Sequence, residues 1–226
     1  FINNYCAGDK RPILEEIQKY AVTFRNAFDA DIVDNELPAT AGFERLNAII
    51  FALDTTTLIP YVLYIERNVS DLRQRNDLYG YLESYIMRRL VTRETTKNYN
   101  QLFADRLILN NVQSRDDLKH YLDNQADKIN RMPIDDDVKK AFNESVLTNK
   151  YATGVLYFIE SKTRDHRLHS TQLLGISKYS LEHIMPKKWR NRWAFTGDNA
   201  AAERRDRKLL TLGNLTIITQ ALNSSS

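Results

Sequence analysis

The feature that most restricts the fold is the spacing of apolar residues, which recur every three or four positions over most of residues 12–161. The first such stretch, from Pro12 to Phe28, places its apolar side chains along one stripe of an amphipathic helix. Only seven glycines and five prolines interrupt the pattern in 226 residues. The sequence therefore predicts a mainly α-helical protein.

Cap and turn residues divide the rest of this region into further helices. Ser70 is the predicted N-cap of the longest of them, which carries Leu72 to Leu90, and Ser114 is the predicted N-cap of another. The helix that Ser114 begins covers 114–125, and the other predicted helices cover 43–54, 55–67, 98–109, 135–145 and 149–161. We expect a helical domain over residues 1–164.

The pattern changes after Arg164, where two short runs suited to β-strands appear, YSLEHIM (179–185) and LTIIT (215–219). A polar, basic stretch separates them, and the start of another helix follows Gln220. A connection of this length without secondary structure is uncommon in a compact domain and is often functional. We expect a second unit over residues 165–226, built as strand, long loop, strand and helix.

Charge also separates the two ends of the chain. Residues 178–226 contain nine Lys and Arg against four Asp and Glu, a net charge of +5, whereas the whole chain carries +3. A positive end beside a nearly neutral body suits contact with a phosphate backbone. A solvated basic loop explains the charge equally well.

Several classes of protein are excluded or disfavoured by the composition. No apolar run reaches the length of a membrane span. One cysteine, Cys6, builds neither a disulfide framework nor a cysteine-rich zinc site, which favours a reducing, cytoplasmic location. The first residue is Phe1, so we expect a piece of a longer polypeptide.

Three short motifs stand in order near the C-terminus: LEHIMP (181–186), LGNLTIIT (212–219) and LN (222–223). Together they resemble the HNH, or ββα-metal, nucleases, and more narrowly the C-terminal nuclease region of GmrSD-like modification-dependent restriction enzymes. That group includes the SspE-type phosphorothioation-dependent defence nickases. The stretch 81–103 is also similar to the region that precedes the motifs in that family. The resemblance implies a small ββα-metal finger with a two-stranded antiparallel hairpin.

The resemblance also implies roles for individual residues: His183 as general base, Glu182 and Asn223 as metal ligands, and Asn214 as the residue that ties the long loop to the second strand. These residue types suit phosphodiester hydrolysis. Histidine is largely neutral at working pH and able to accept a proton. Mg²⁺ or Mn²⁺ takes few hard oxygen ligands from the protein and completes its shell with water and phosphate.

Glu182 and His183 raise a geometric difficulty. Neighbouring side chains on a regular strand point to opposite faces, so both can contact one phosphate only if the strand is distorted. Otherwise one of the two acts indirectly, by supporting the residue that makes the contact. Pro186 favours an irregular or edge strand. His166 and His169 are interpreted as loop residues, and His120 as a helix-surface residue without a role.

The basic side chains of the long loop are candidates for phosphate contact: Lys187, Lys188, Arg190, Arg192, Arg204, Arg205, Arg207 and Lys208. Trp189 and Trp193 are expected to pack the loop onto the domain rather than to stack on a base. Nothing resembles a base-reading motif.

The predicted function is a metal-dependent DNA endonuclease or nickase module of a bacterial anti-phage restriction system, acting on phage or plasmid duplex. The resemblance implies an upstream NTPase domain that senses the DNA modification. Because the sequence enters the last helix of the finger only briefly, we expect loose metal binding and poor nicking. A non-catalytic helical DNA-binding module that retains the finger as scaffold is the alternative, and an RNA-directed nuclease with the same chemistry is a third possibility.

Overall fold

The protein is mainly α-helical, with one small antiparallel sheet near its C-terminus. The computed structural model describes residues 10–124, 128–165, 172–193 and 195–223. In chain order the helices are α1 Arg11–Ala27, α2 Phe43–Ala52, α3 Ile59–Asn68, α4 Leu72–Val91, α5 Tyr99–Gln101, α6 Leu107–Leu109, α7 Arg115–Asp123, α8 Asp135–Glu144, α9 Asn149–Thr163, α10 Trp189–Arg192, α11 Asn199–Lys208 and α12 Gln220–Asn223. The strands are β1 Tyr179–His183 and β2 Leu215–Thr219. The predicted fold, mainly α with a small C-terminal ββα unit, is confirmed.

Short irregular helices complete the described backbone. The 3-10 segments are Ala30–Asp34, Thr56–Leu58, Lys128–Asn130, Ile176–Lys178 and Leu212–Asn214, and a π-helical segment, Leu102–Arg106, joins α5 to α6.

Of the two N-caps predicted from the sequence, one is present in the structure and the other is not. Ser114 caps α7, since its hydroxyl accepts a hydrogen bond from the Asp117 amide, as predicted. The predicted cap of α4 was wrong: Asp71, not Ser70, has the extended backbone, and its carboxylate accepts a 3.0 Å hydrogen bond from the Gln74 amide. Adjacent Ser and Asp residues are both good caps, and the pattern did not separate them.

The larger core is built by α2, α3 and α4 together with the π-helical segment, and it encloses one ion pair. Arg45 lies fully buried, with Nε 2.8 Å from Glu83 Oε2 and Nη2 2.9 Å from Glu83 Oε1. The same guanidinium donates to the hydroxyl of Ser161 at 2.9 Å. This bonding joins α2, α4 and α9, because it satisfies charges that are costly to bury alone.

A smaller core joins the hairpin to the helices. Leu215 of β2 and the preceding Leu212 pack with Ala152 and Val155 of α9, while Leu181 of β1 lies partly buried against them. The strands pair antiparallel in regular register, with Leu181 opposite Ile217 and His183 opposite Leu215. The pleat therefore directs residues 179, 181 and 183 toward the helices and residues 180 and 182 away from them.

The connection between the strands is helical over much of its length. We predicted residues 186–214 as a loop without secondary structure, and this was wrong: α10 and α11 lie within it. Asp198 caps α11 by accepting a 2.8 Å hydrogen bond from the Ala201 amide. Alanines 200–202 favour the helix, and the basic residues of its last turn suit the negative end of the helix dipole.

Candidate active site

His183 is the last residue of β1, and its ring lies half-buried against the helices. Burial lowers the pKa of His183 from its usual value, the nearby Lys187 lowers it further, and Glu182 opposes both. The buried Nε2 atom has no hydrogen-bond partner among the described residues. The imidazole is therefore neutral at neutral pH and has a ring nitrogen uncommitted to any neighbour.

Glu182 precedes His183 on a strand that is regular to its end. Its carboxylate Oε1 accepts a 2.9 Å hydrogen bond from the backbone N–H of His183. No distortion of β1 is present, because Glu182 and His183 pair in register with Thr216 and Leu215. Both side chains nevertheless border one cleft, since β1 ends at His183 and the cleft lies at that end of the strand.

This opening, called here the histidine cleft, has a volume of about 430 Å³. It is lined by Asn149, Leu181, Glu182, His183, Pro186, Lys187 and Lys188. The two lysines are exposed, and neither has an acidic partner in the part of the chain that the structure describes. The cleft therefore combines a neutral imidazole, a carboxylate and two uncompensated cations.

Asn214 fixes the backbone that follows His183, next to this cleft. Its Oδ1 accepts from the Met185 amide at 2.8 Å, and its Nδ2 donates to the carbonyls of Met185 at 3.1 Å and Leu209 at 2.9 Å. Its own carbonyl accepts from the Ile184 amide at 2.9 Å. Asn214 thus joins the residues after β1 to the end of the helical insertion. It makes these contacts from a buried position.

The cationic side chains predicted to contact phosphate fall into separate groups. Arg190 forms two hydrogen bonds to Asp206, of 2.9 and 2.6 Å, and Arg190 together with Trp189 lowers the pKa of that carboxyl. The Arg205 guanidinium lies 5.3 Å from the Trp189 ring and 4.6 Å from the Phe195 ring. Both arginines hold the insertion together.

The remaining cations are more accessible. Lys208 donates to the Asn143 carbonyl at 2.8 Å, and Arg207 lies 3.9 Å from Glu203 in an exposed pair. Arg204 is exposed and has no ion-pair partner among the described residues. The side chain of Arg192 lies outside the described part of the structure. Lys187, Lys188 and Arg204 are thus the exposed predicted phosphate contacts with no described ion pair or side-chain hydrogen bond, whereas Lys208 lacks an acidic partner but is bonded to Asn143.

The two tryptophans differ. Trp189 is 1% exposed, donates to Asp206 through Nε1 at 3.0 Å and packs edge-on against Phe195. Trp193 is 45% exposed, so it is buried far less than Trp189, and its packing onto the domain stays a prediction. Four-residue spacing would place both rings on one helix face, but Trp193 is the C-cap residue of α10 and has an extended backbone, so the spacing does not fix its direction.

The proposed metal ligands are only partly described. The backbone of Asn223 ends α12, which follows β2 directly, but its side chain lies outside the described residues, as do His166 and His169 altogether. Within the described residues, no three His, Cys, Asp or Glu side chains form a metal-binding group. Glu182 Oε2, in contrast, has no described partner and borders the open cleft. One carboxylate in a solvated cleft fits the sparse protein ligation of Mg²⁺.

Asn149 was not among the residues selected from the sequence. It is the first residue of α9, it is exposed, and it lines the cleft opposite the hairpin. No local signal identifies it, because it lies far from His183 along the chain and reaches the cleft only through the packing of α9 on the hairpin.

Comparison with known proteins agrees with the predicted resemblance. Residues 132–226 match the family model of the C-terminal domain of GmrSD restriction endonucleases. The resemblance is thereby confirmed for this part of the chain, which contains α8, α9, the hairpin and its helical insertion. No curated protein and no solved structure matches the chain. Among the described helices, none has the length and apolar character needed to cross a bilayer.

Proposed function

We propose, from the match of residues 132–226 to the GmrSD C-terminal domain, that the chain is a metal-dependent DNA endonuclease or nickase module of a restriction system. A restriction endonuclease domain implies DNA as its substrate. The single observation that best supports catalysis is the state of His183, a neutral imidazole with an unbonded Nε2 in a cleft with Glu182 and two lysines.

His183 acts as the general base in this proposal. Its lowered pKa keeps it unprotonated at neutral pH, so it accepts the proton of the attacking water without first losing its own. Because Nε2 is buried in this structure, the ring has to reorient for this atom to reach that water.

Glu182, together with Asn223, holds a Mg²⁺ or Mn²⁺ ion in this proposal. When bound, the ion stabilises the negative charge that develops on the phosphate and on the leaving 3′-oxygen. The bond from the His183 amide to Glu182 Oε1 fixes the carboxylate and leaves Oε2 for the ion. Asn214 acts as a positioning residue, since it holds the backbone between Ile184 and Met185.

Lys187, Lys188 and Arg204 bind the DNA backbone in this proposal. Each exposed cation without an intramolecular acid releases counterions when it neutralises a phosphate, and binding should therefore weaken as salt rises. Arg190 and Arg205 contribute mainly by shaping the insertion, because their guanidinium groups already contact Asp206, Trp189 and Phe195.

The division into a helical domain over 1–164 and a nuclease unit over 165–226 remains part of the proposal. So do an upstream NTPase domain that senses modified DNA and phage DNA as the natural target.

Plasmid nicking with Mg²⁺ or Mn²⁺ tests the function. His183→Ala should reduce the rate by about 10²-fold or more, the scale of general-base catalysis. His120→Ala is the matched control, because His120 is exposed on α7, far along the chain from the cleft. Undiminished nicking by His183→Ala would contradict the proposal.

A non-catalytic DNA-binding module is the second candidate, because the exposed and unpaired Lys187 and Lys188 suit phosphate contact whether or not an ion is bound. It predicts salt-sensitive DNA binding, abolished by Lys187→Gln with Lys188→Gln, and no cleavage with any divalent ion. Metal-dependent nicking that His183→Ala removes would exclude this alternative.

A further inference from the structure

A second cleft lies on the helical part of the molecule, and the proposed nuclease activity does not use it. Its volume is about 420 Å³, within the range of small-molecule sites. Leu53, Ile86 and Leu90 supply apolar lining, and Arg89, Arg93 and Glu94 supply charge. This opening is called the Arg89 cleft.

Arg89 is an unusual side chain to find there. It is 1% exposed, yet its guanidinium donates hydrogen bonds only to neutral oxygens, the hydroxyl of Tyr99 at 3.2 Å and the carbonyls of Arg131 and Thr95, and it lies over the rings of Tyr85 and Tyr99 at 5.4 and 5.6 Å. No carboxylate pairs with it among the described residues. A buried arginine is rarely left without an acidic partner, because desolvation of its charge is costly.

The acids that border the cleft are committed elsewhere. Glu94 lies 3.0 Å from Arg131, and Asp54 is paired with Lys150. Arg93, in contrast, lines the cleft with no ion-pair partner in the described part of the chain. The two arginines of the cleft therefore leave it with an excess of positive charge.

The rim also contains two residues with a left-handed backbone. Asp54 and Arg93 have φ angles of 53° and 58°, in the left-handed region that non-glycine residues seldom adopt. Each is the residue after a helix C-cap, where this conformation ends the helix: the Thr55 amide donates to the Ile50 carbonyl at 3.0 Å after α2, and the Glu94 amide donates to the Arg89 carbonyl at 2.9 Å after α4. Both residues line the opening, so the ends of α2 and α4 meet at it.

We propose that the Arg89 cleft binds a small organic anion, with a phosphate or carboxylate group toward Arg89 and Arg93 and a flat apolar body against Leu53, Ile86 and Leu90. Guanidinium groups recognise such anions through charge-assisted hydrogen bonds, and the apolar lining accepts a ring-sized body. Arg89 makes three described hydrogen bonds with its five N–H groups and supplies charge from below the surface, while the exposed Arg93 supplies the accessible guanidinium.

The site is distinct from the histidine cleft, although both touch the first turn of α9. Thr148 and Tyr151 line the Arg89 cleft, whereas Asn149 lines the histidine cleft. Because the lining residues differ, a substitution in one cleft should weaken binding there and leave binding in the other cleft unchanged.

Calorimetric titration of the full chain with the four deoxynucleoside 5′-monophosphates, each against its uncharged nucleoside, tests the proposal. We expect saturable binding of at least one monophosphate. Its uncharged nucleoside should bind at least about tenfold more weakly. Arg93→Gln should weaken monophosphate binding about tenfold. Because Arg93 is exposed, this substitution leaves the core intact.

Two controls separate the sites. Lys97→Gln removes an exposed cation near Arg93 that does not line the cleft, and it should leave binding unchanged. Lys187→Gln should also leave it unchanged, whatever its effect on nicking. The proposal is overturned if no monophosphate binds at millimolar concentration, if Arg93→Gln binds normally, or if Lys187→Gln abolishes binding.

Discussion

The carboxylate of Glu182 accepts a 2.9 Å hydrogen bond from the backbone N–H of His183, the residue directly after it. The bond fixes the acid at the end of β1 while the strand keeps its regular register. It also brings a negative charge near the imidazole, where it raises the His183 pKa against the stronger effects of burial and Lys187.

The His183 pKa should therefore respond with opposite sign to its two charged neighbours. Glu182→Gln removes the charge that raises the pKa, so the pKa should fall further, whereas Lys187→Gln should raise it toward the usual value. Titration of the His183 ring signals by NMR measures both shifts, with the exposed His120 as internal reference. Shifts of the same sign in both variants would contradict this account.

Nicking by the protein should be independent of pH above the usual histidine pKa and should decline only at lower pH. The folded-state pKa of His183 is lowered, so the neutral base is present throughout that upper range and is lost as pH falls through the lowered pKa. A pH–rate profile measures this, and Lys187→Gln should move its acid limb to higher pH. An acid limb above the usual histidine pKa would show that another group controls the rate.

Asn214→Ala should destabilise the protein by about 2 kcal/mol, because it leaves the buried amide and carbonyl groups around Met185 and Leu209 without partners. Urea unfolding measures the change, and hydrogen exchange at the Met185 amide should accelerate. Asn26→Ala is the matched control, since Asn26 is exposed and has no described side-chain hydrogen bond. Equal stability of the two variants would mean that the Asn214 bonds contribute nothing.

Glu83→Gln should lower the free energy of unfolding by about 3 kcal/mol, because Arg45 then remains buried without a compensating charge. Glu144→Gln breaks only an exposed pair with Lys140 at 4.0 Å and should change it by less than about 0.5 kcal/mol. Urea denaturation compares them. A small loss for Glu83→Gln would indicate that Arg45 finds another partner or that water reaches it.

The two tryptophans should differ in their access to solvent. Trp193 should be quenched readily by acrylamide, whereas the buried Trp189 should be shielded. Since the chain has only these two, Trp189→Phe and Trp193→Phe each leave one reporter. Both variants should be quenched equally in urea, which checks that folding causes the difference. Equal quenching in the folded variants would place both rings in one environment.

The sequence by itself determined the helices, the two strands and the order of the C-terminal motifs. These depend on local physics: apolar spacing sets helix and strand, and caps such as Ser114 set their ends. The prediction from local signals was wrong for residues 186–214, whose polar composition suggested a loop. The Asp198 cap and the alanines of α11 were nevertheless present in the sequence.

Only the tertiary structure decided which charges are available. Lys187 and Arg190 are equivalent in the sequence, but α11 brings Asp206 to Arg190 and leaves Lys187 unpaired. Contacts between residues distant along the chain likewise decide how deeply His183 is buried and bring Asn149 to the same cleft. Such contacts also bury Arg89 without an acidic partner. Burial and ion pairing are properties of neighbours in space, and residue spacing along a sequence does not specify them.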